Sequence, residues 1–179
     1  MTLRSPWTCV LWDVDGTVVD ASEGILRRLA IALEHFGKPA ATREELVHWI
    51  GPPMFESFQT NVGMTPDEAS EAVAYYRMIG KADGYTTGAK LYPGIGELIS
   101  DLDAAGVAQA TASSKPENQV SALVDHFDLA PHLQAVVGAT QGVPVIFVRW
   151  GFSWPHESEG AAAAVDTPEE LRALLLIED

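Results

Sequence analysis

The feature that most constrains this chain is an apolar run, Thr8 to Trp12 (TCVLW), that stops abruptly at the polar string Asp13-Val14-Asp15-Gly16-Thr17. A short apolar run bounded by turn formers reads as a buried strand ending in a loop. From Ser22 the period changes. Ile25, Leu29, Ala32, Leu33 and Phe36 follow helical spacing, with Ser22 as the starting cap and Gly37 past the end, so the pattern predicts a helix over about 22–36. Three more helices are expected over about 43–50, 54–62 and 66–82, the last opened by the cap Thr65 with Pro66 at the first helical position. Strand patterns return after the loop 84–96. A helix over about 96–105 leads into a strand at Val107–Thr111, followed by a helix with Val120, Leu123, Val124 and Phe127 on one face. That order is βαβ, and the fold class it implies is α/β. Ala135–Gly138 and Val143–Trp150 read as further strands, and the run Gly160–Ala164 ends a loop or forms a short buried edge strand. Thr167-Pro168-Glu169-Glu170 reads as a capping box opening a last helix to about Ile177.

Several function classes drop out on composition. No stretch of the 179 residues reaches the roughly 18 consecutive apolar positions of a membrane span, and the start has no cleavage-site pattern, so a cytoplasmic protein with no membrane partner is expected. The single cysteine, Cys9, makes no internal disulfide, and the five histidines show no zinc spacing. With 25 acidic and 11 basic residues the net charge is -14, which repels a phosphate backbone, so nucleic acid is not an expected partner.

The chemistry lies in the acidic loop. Two carboxylates two residues apart, just past a buried strand, suit phosphoryl transfer: Asp13 as nucleophile on phosphorus, Asp15 protonating the leaving oxygen. A divalent cation between them offsets carboxylate–phosphate repulsion, and hard oxygen ligands favour magnesium. An ordinary acidic turn is the plainer reading of the same residues. Gly94-Ile95-Gly96 does not continue as a dinucleotide fingerprint and precedes a strand, so no such cofactor is expected.

A hydrophobic strand followed by DVDGTVVD resembles the first signature of the haloacid dehalogenase superfamily, in its phosphatase branch. IGPP at Ile50–Pro53, YYR at Tyr75–Arg77 and LYPGI at Leu91–Ile95 resemble its phosphoglycolate phosphatase-like subgroup. VAQATASSKPE at Val107–Glu117 resembles the second signature, and the likeness resumes at VPVIFVRWG and VDTPEEL. The resemblance implies a Rossmann-like parallel sheet core, residues 1–19 and 88–179, with an inserted helical cap, residues 20–87. It implies a phosphatase of small phosphorylated metabolites, phosphoglycolate-like or nucleotide monophosphate-like, using Mg2+ and an aspartyl-phosphate intermediate. Asp13 and Asp15 are then catalytic and metal-binding, Ser113, Ser114 and Lys115 phosphate-binding, and Gly51, Pro52 and Arg77 cap residues facing substrate. An acid at Asp15 favours ester hydrolysis over dehalogenation, because a halide leaves without a proton.

The chain departs from that family in one place. Its lysines are Lys38, Lys81, Lys90 and Lys115, so no third-signature lysine follows the third strand, and Leu129–Gly151 contains no Asp or Glu for the fourth signature. About 40 residues, two helices with a strand between them, are missing between VVGAT and QGVPVIFVRWG, so the core sheet is expected to lack a strand. In the family's strand order, 5-4-1-2-3, linking the two edges takes ~25 Å, whereas the four residues Ala139–Gly142 reach at most ~3.5 Å each. One side of Thr8–Trp12 is therefore expected to be unpaired, with VPVIFVRW either beside it or at the far edge, and with poor stability and aggregation. Magnesium binding is expected to be weak. A catalytically impaired or inactive remnant is the alternative reading. Lys115 reads first as a helix-start residue at the rim and second as a cation aimed at phosphate; the five tryptophans, Trp7, Trp12, Trp49, Trp150 and Trp154, read first as core or edge packing, with Trp49 beside IGPP the one placed to touch substrate. Asp13 and Asp15 are expected at the carboxyl end of a strand, with Ser113 at the end of its neighbour.

Overall fold

The structure is a computed structural model and describes residues 3–39, 41–113, 115–136, 146–151 and 161–178. In chain order the elements are β1 (Leu3–Arg4), β2 (Cys9–Trp12), β3 (Val19–Asp20), α1 (Ser22–His35), α2 (Arg43–Val47), α3 (Met54–Val62) and α4 (Pro66–Asp83). There follow β4 (Lys90–Leu91), α5 (Ile95–Ala104), β5 (Ala108–Thr111), α6 (Glu117–His126), a 3-10 turn at Ala130–His132 and β6 (Ala135–Val136). The remainder is β7 (Ile146–Val148), β8 (Ala163–Val165), α7 (Pro168–Leu175) and β9 (Ile177–Glu178). They form two compact units, residues 1–20 with 90–179, and residues 21–89.

In the first unit β2, β5 and β6 make a parallel sheet in the order β2-β5-β6, with Trp12 opposite Thr111 and Thr111 opposite Val136. Parallel pairing puts the carboxyl ends of β2 and β5 at one edge, where an open α/β sheet collects ligands. Beneath them lie Ile95, Leu98, Ile99 and Leu102 of α5 and Val120 and Leu123 of α6, each at most 1% exposed. Gln109, in mid-strand, is tolerated there because its amide is satisfied: Oε1 accepts from the Trp12 indole at 3.0 Å and Nε2 donates to Ile99 O at 2.8 Å. The α/β class read from the sequence is the one observed.

Among the described residues β2 has a ladder with β5 alone, and Val10 and Leu11 are half-buried where the matching Gln109 and Ala110 of β5 are buried. The segment VPVIFVRW, expected either beside β2 or at the far edge of its sheet, instead supplies β7 to a separate two-stranded sheet: β7 runs parallel to β8, Ile146 opposite Ala163 and Val148 opposite Val165. The expectation about Ala139–Gly142 lies outside the described residues, as do Gly138 and Val143. The alanine run read as loop end or edge strand supplies β8.

The second unit is helical, with α4 packed on α1 and α3, and α1 on α2. Leu29, Leu33, Phe58, Ala69 and Ala72 are at most 1% exposed at its core. Thr42 with Glu45, and Thr65 with Glu68, form reciprocal capping boxes, and Gly63 ends α3 at φ 63°, a left-handed position that suits glycine.

Four local expectations are corrected. Ala21, not Ser22, occupies the N-cap of α1, because Ser22 is already helical and buried. The second helix stops at Val47 rather than near 50, where Trp49 and Ile50 turn inward. At α7 Thr167 caps Glu170 N, but the Glu170 carboxylate reaches the Asp166 N–H one residue further back, leaving half a capping box. That helix ends at Leu175 because Ile177 leaves to pair with Arg4. The two-residue ladders β1–β9 and β3–β4 have no period to announce them, and β3–β4 sets Asp20 opposite Lys90.

Candidate active site

Past Trp12 the chain alternates. Val14 points inward at 1% exposure, which turns Asp13 and Asp15 to the opposite side. Val14 O accepts from the N–H groups of Val18 at 3.0 Å and Val19 at 2.9 Å, and Gly16 N donates to Val19 O at 2.9 Å, closing a tight turn. Gly16 takes φ 83°, which a side chain would resist. The Thr17 hydroxyl donates to Asp13 Oδ2 at 3.5 Å.

On the neighbouring strand the ladder runs one step further, with Ala112 N donating to Trp12 O at 2.7 Å. Ser113 follows, and its Oγ accepts from Lys115 N at 3.2 Å. Folding the segment back in this way brings the Lys115 ammonium to 2.8 Å from Asp15 Oδ2, with the two side chains only 10% and 16% exposed. Lys115 is thus neither at the rim nor directed away from the acids. Asp15 Oδ1 is buried and has no hydrogen-bond partner among the described residues. Asp13 is open to solvent, yet partial desolvation by the surrounding loop, with the Asp15 charge adding, pushes its carboxyl up to about 6 against the lowering contacts of Val14 N–H, Thr17 and Lys115. Desolvation, with the charges of Asp20 and Asp15, pushes the Tyr92 phenol up to about 12, so Tyr92 stays neutral.

The metal expectation meets a sparse donor set. Among the described residues no three His, Cys, Asp or Glu side chains gather as a metal site. The two loop acids nevertheless fit magnesium in its water-rich mode, which takes one or two carboxylates plus substrate phosphate, and Asp15 Oδ1, without a hydrogen-bond partner among the described residues, is an acceptor that a ligand could use.

Other expected site residues fall elsewhere. Ser114 lies outside the described residues. Gly51 (φ 112°) and Pro52 sit between α2 and α3, and Arg77 is exposed on α4, all within the helical unit. Trp49 takes the core role expected first of the tryptophans rather than the substrate contact: it is 3% exposed and meets Phe58 edge-on at 5.3 Å. Two contacts of the acidic loop were not assigned from sequence, Trp150 and Gly151. The indole of Trp150 donates to Thr17 O at 3.2 Å, and Gly151 abuts Gly16. Only their place within VPVIFVRWG hinted at them.

Fold and loop together define an α/β protein with paired carboxylates and a serine beyond the carboxyl ends of adjacent parallel strands. The chain belongs to the haloacid dehalogenase-like hydrolase family, whose model matches residues 10–143. It is 36% identical over 131 residues to the tyrosine-protein kinase PtkA of Mycobacterium tuberculosis, covering 73% of this chain and 44% of that protein. To a 5'-nucleotidase of Pseudomonas aeruginosa it is 33% identical over 130 residues, covering 73% and 58%. The crystal structure of a predicted phosphatase from Clostridium acetobutylicum superposes with a TM-score of 0.86 at 27% identity, covering 93% of this chain and 97% of that one. Phosphoglycolate phosphatases of Pseudomonas aeruginosa and Salmonella choleraesuis are also relatives, in keeping with the subgroup resemblance. The chain spans about half the length of the curated relatives it matches.

Proposed function

We propose that this chain is a phosphomonoester hydrolase of small phosphorylated metabolites, of the phosphoglycolate or nucleoside monophosphate kind. The observation that carries this reading is the meeting, at one sheet edge, of the Asp13–Asp15 turn with the Ser113–Lys115 segment, Lys115 lying 2.8 Å from Asp15. Asp13, ionised above about pH 6, attacks phosphorus and forms the aspartyl-phosphate while the ester oxygen departs. Asp15 gives that oxygen its proton, then takes one from the water whose oxygen attacks phosphorus and releases phosphate and free Asp13. Ser113 donates to the phosphoryl oxygens, and Lys115 supplies the nearby positive charge that no later lysine of the chain can supply. Asp13 and the carbonyl of Asp15 would hold magnesium, which would supply positive charge against the phosphate oxygens. Residues 1–20 and 90–179 are the catalytic core, and residues 21–89, through Gly51, Pro52 and Arg77, take the cap's part in selecting substrate. Among the described residues no helix is long and apolar enough to cross a membrane, which is compatible with work on cytoplasmic metabolites.

Turnover of p-nitrophenyl phosphate with and without magnesium, against Asp13→Asn, tests the reading. Activity that requires metal and falls roughly 10³-fold or more in the variant supports it. A folded wild-type chain with no turnover, or equal rates in both proteins, returns the chain to the inactive remnant.

A further inference from the structure

Three successive carbonyls leave the turn after Asp15, and each meets a group from elsewhere in the same unit. Tyr92 N donates to Val18 O at 3.1 Å, and the Trp150 indole donates to Thr17 O at 3.2 Å. Gly151 lies against Gly16 so closely that a Cβ on it would stand 2.3 Å from Gly16 O and 3.1 Å from Gly16 C. The Tyr92 and Trp150 rings are themselves neighbours, 6.4 Å apart at 58°.

The segment that carries Trp150 and Gly151 is held in turn. Arg149 N donates to Val165 O at 2.9 Å, extending the β7–β8 ladder by one step. The Arg149 guanidinium reaches both carboxylate oxygens of Asp166 at 3.2 Å, and Asp166 N donates to Glu170 Oε2 at the start of α7. Both contacts come from one guanidinium nitrogen, and the exposed pair contributes little stability, so the backbone bond of Arg149 N to Val165 O is the firmer hold. A continuous series of contacts thus runs from α7 through Asp166 and Arg149 to the backbone that aims Asp15.

We propose that Trp150 and Gly151 are positioning residues for the acid–base turn. They fix the Gly16–Val18 backbone so that the Asp15 carboxylate stays on Lys115 beside Asp13. The proposal rests on the phosphatase reading for its effect on rate, and on geometry alone for the contact. A proton-transfer group misplaced by about an ångström loses on the order of 10²-fold in rate, so a restraint of this kind belongs to the chemistry as well as to the fold. Glycine is required at residue 151 by the close approach, and tryptophan at residue 150 by the indole donor.

The test uses the full chain and p-nitrophenyl phosphate, with Trp150→Phe to remove the donor while keeping a ring beside Tyr92, and Gly151→Ala to push on Gly16. Expected are a fall in kcat of tenfold or more for Gly151→Ala and threefold or more for Trp150→Phe, with KM within twofold of wild type and Trp150→Phe melting within a few degrees of it. A second readout needs no activity. The Trp150 indole N–H, assigned in a ¹⁵N spectrum by its loss in Trp150→Phe, is expected to exchange slowly with water and to shift in Asp15→Asn. If the wild-type chain does not turn over while this signal behaves as described, the positioning contact stands and the phosphatase reading fails. An indole proton that exchanges as fast as in an unstructured peptide overturns the proposal, as does wild-type kcat in Gly151→Ala.

Discussion

The helical unit and the α/β unit of this chain were written in different codes. In residues 21–89 each helix announces itself within a few residues of its own sequence: Thr65 and Pro66 open α4, Gly63 closes α3, and the apolar spacing of Leu29 and Leu33 gives α1 its buried face. In the α/β unit the helices α5 and α6 behave likewise, but the strands depend on partners far away. Cys9–Trp12 pairs with residues some hundred positions later, and Leu3–Arg4 with the other end of the chain. The lesson is that helix signals are local, because their hydrogen bonds close within four residues, whereas a strand's hydrogen bonds lie in whichever segment happens to lie beside it.

Core truncations are the largest test of that contrast. Phe58→Ala in the helical unit is expected to cost roughly 3–5 kcal/mol and Leu123→Ala under the sheet roughly 2–5 kcal/mol, since both side chains are at most 1% exposed. Urea melts of the two variants measure it, and a loss under 1 kcal/mol for either would mean that its core is packed otherwise. Next in size, Lys115→Met leaves the Asp15 carboxylate half-enclosed without its cation. Turnover is expected to fall by about 10²- to 10³-fold, in line with other losses of a preorganised donor, while a rim role for Lys115 would leave it within twofold. The caps compare the two units directly: Thr65→Ala and Thr167→Ala should each cost about 1 kcal/mol, although Thr65 sits in a complete capping box and Thr167 in half of one. Thermal melts giving a much larger loss at Thr65 would assign the extra to the returning Glu68 carboxylate.

Amide exchange sharpens the comparison inside the sheet. β5 is paired on both sides and β2 on one among the described residues, so amides of residues 9–12 should exchange faster than those of 108–111, and the apolar edge should promote association at high concentration. Equal protection in the two strands, with a monomer throughout, would show that β2 has a second partner. The last expected effect is a pH dependence, cut down by solvent because the Asp13 carboxylate is exposed. Asp13 titrates near 6 in the fold against 3.8 when unfolded, so the folded state binds the extra proton between those values and stability falls as pH rises through them. Asp13→Asn should therefore melt above wild type at pH 7, by a margin that vanishes toward pH 4, and a constant margin across that range would refute the raised value.

How much of the candidate site could be read in advance follows from the same division. The placement of Asp13, Asp15 and Ser113 past the ends of neighbouring strands was legible because each belongs to a short string that follows an apolar run, and the parallel register of β2 and β5 sets the strings side by side. The partner of Lys115 was not legible: whether its ammonium meets solvent, phosphate or Asp15 depends on how the Ser113–Lys115 segment turns back after β5. Ser22 shows the opposite error, a residue of capping type placed one position inside its helix because Ala21 already turns the chain.

By itself the sequence determined the class of the fold, the helices of residues 21–89 and the acidic loop after the first long strand, because apolar period, capping residues and turn formers act over a handful of positions. Only the tertiary structure decided which segment VPVIFVRW pairs with, that Ile177 ends in a strand rather than a helix, and that Trp150 and Gly151 stand on the backbone behind Asp15. Those outcomes are contacts between segments more than a hundred residues apart or between strands of two or three residues, and hydrogen bonds and close packing of that range leave no periodic trace in the chain that makes them.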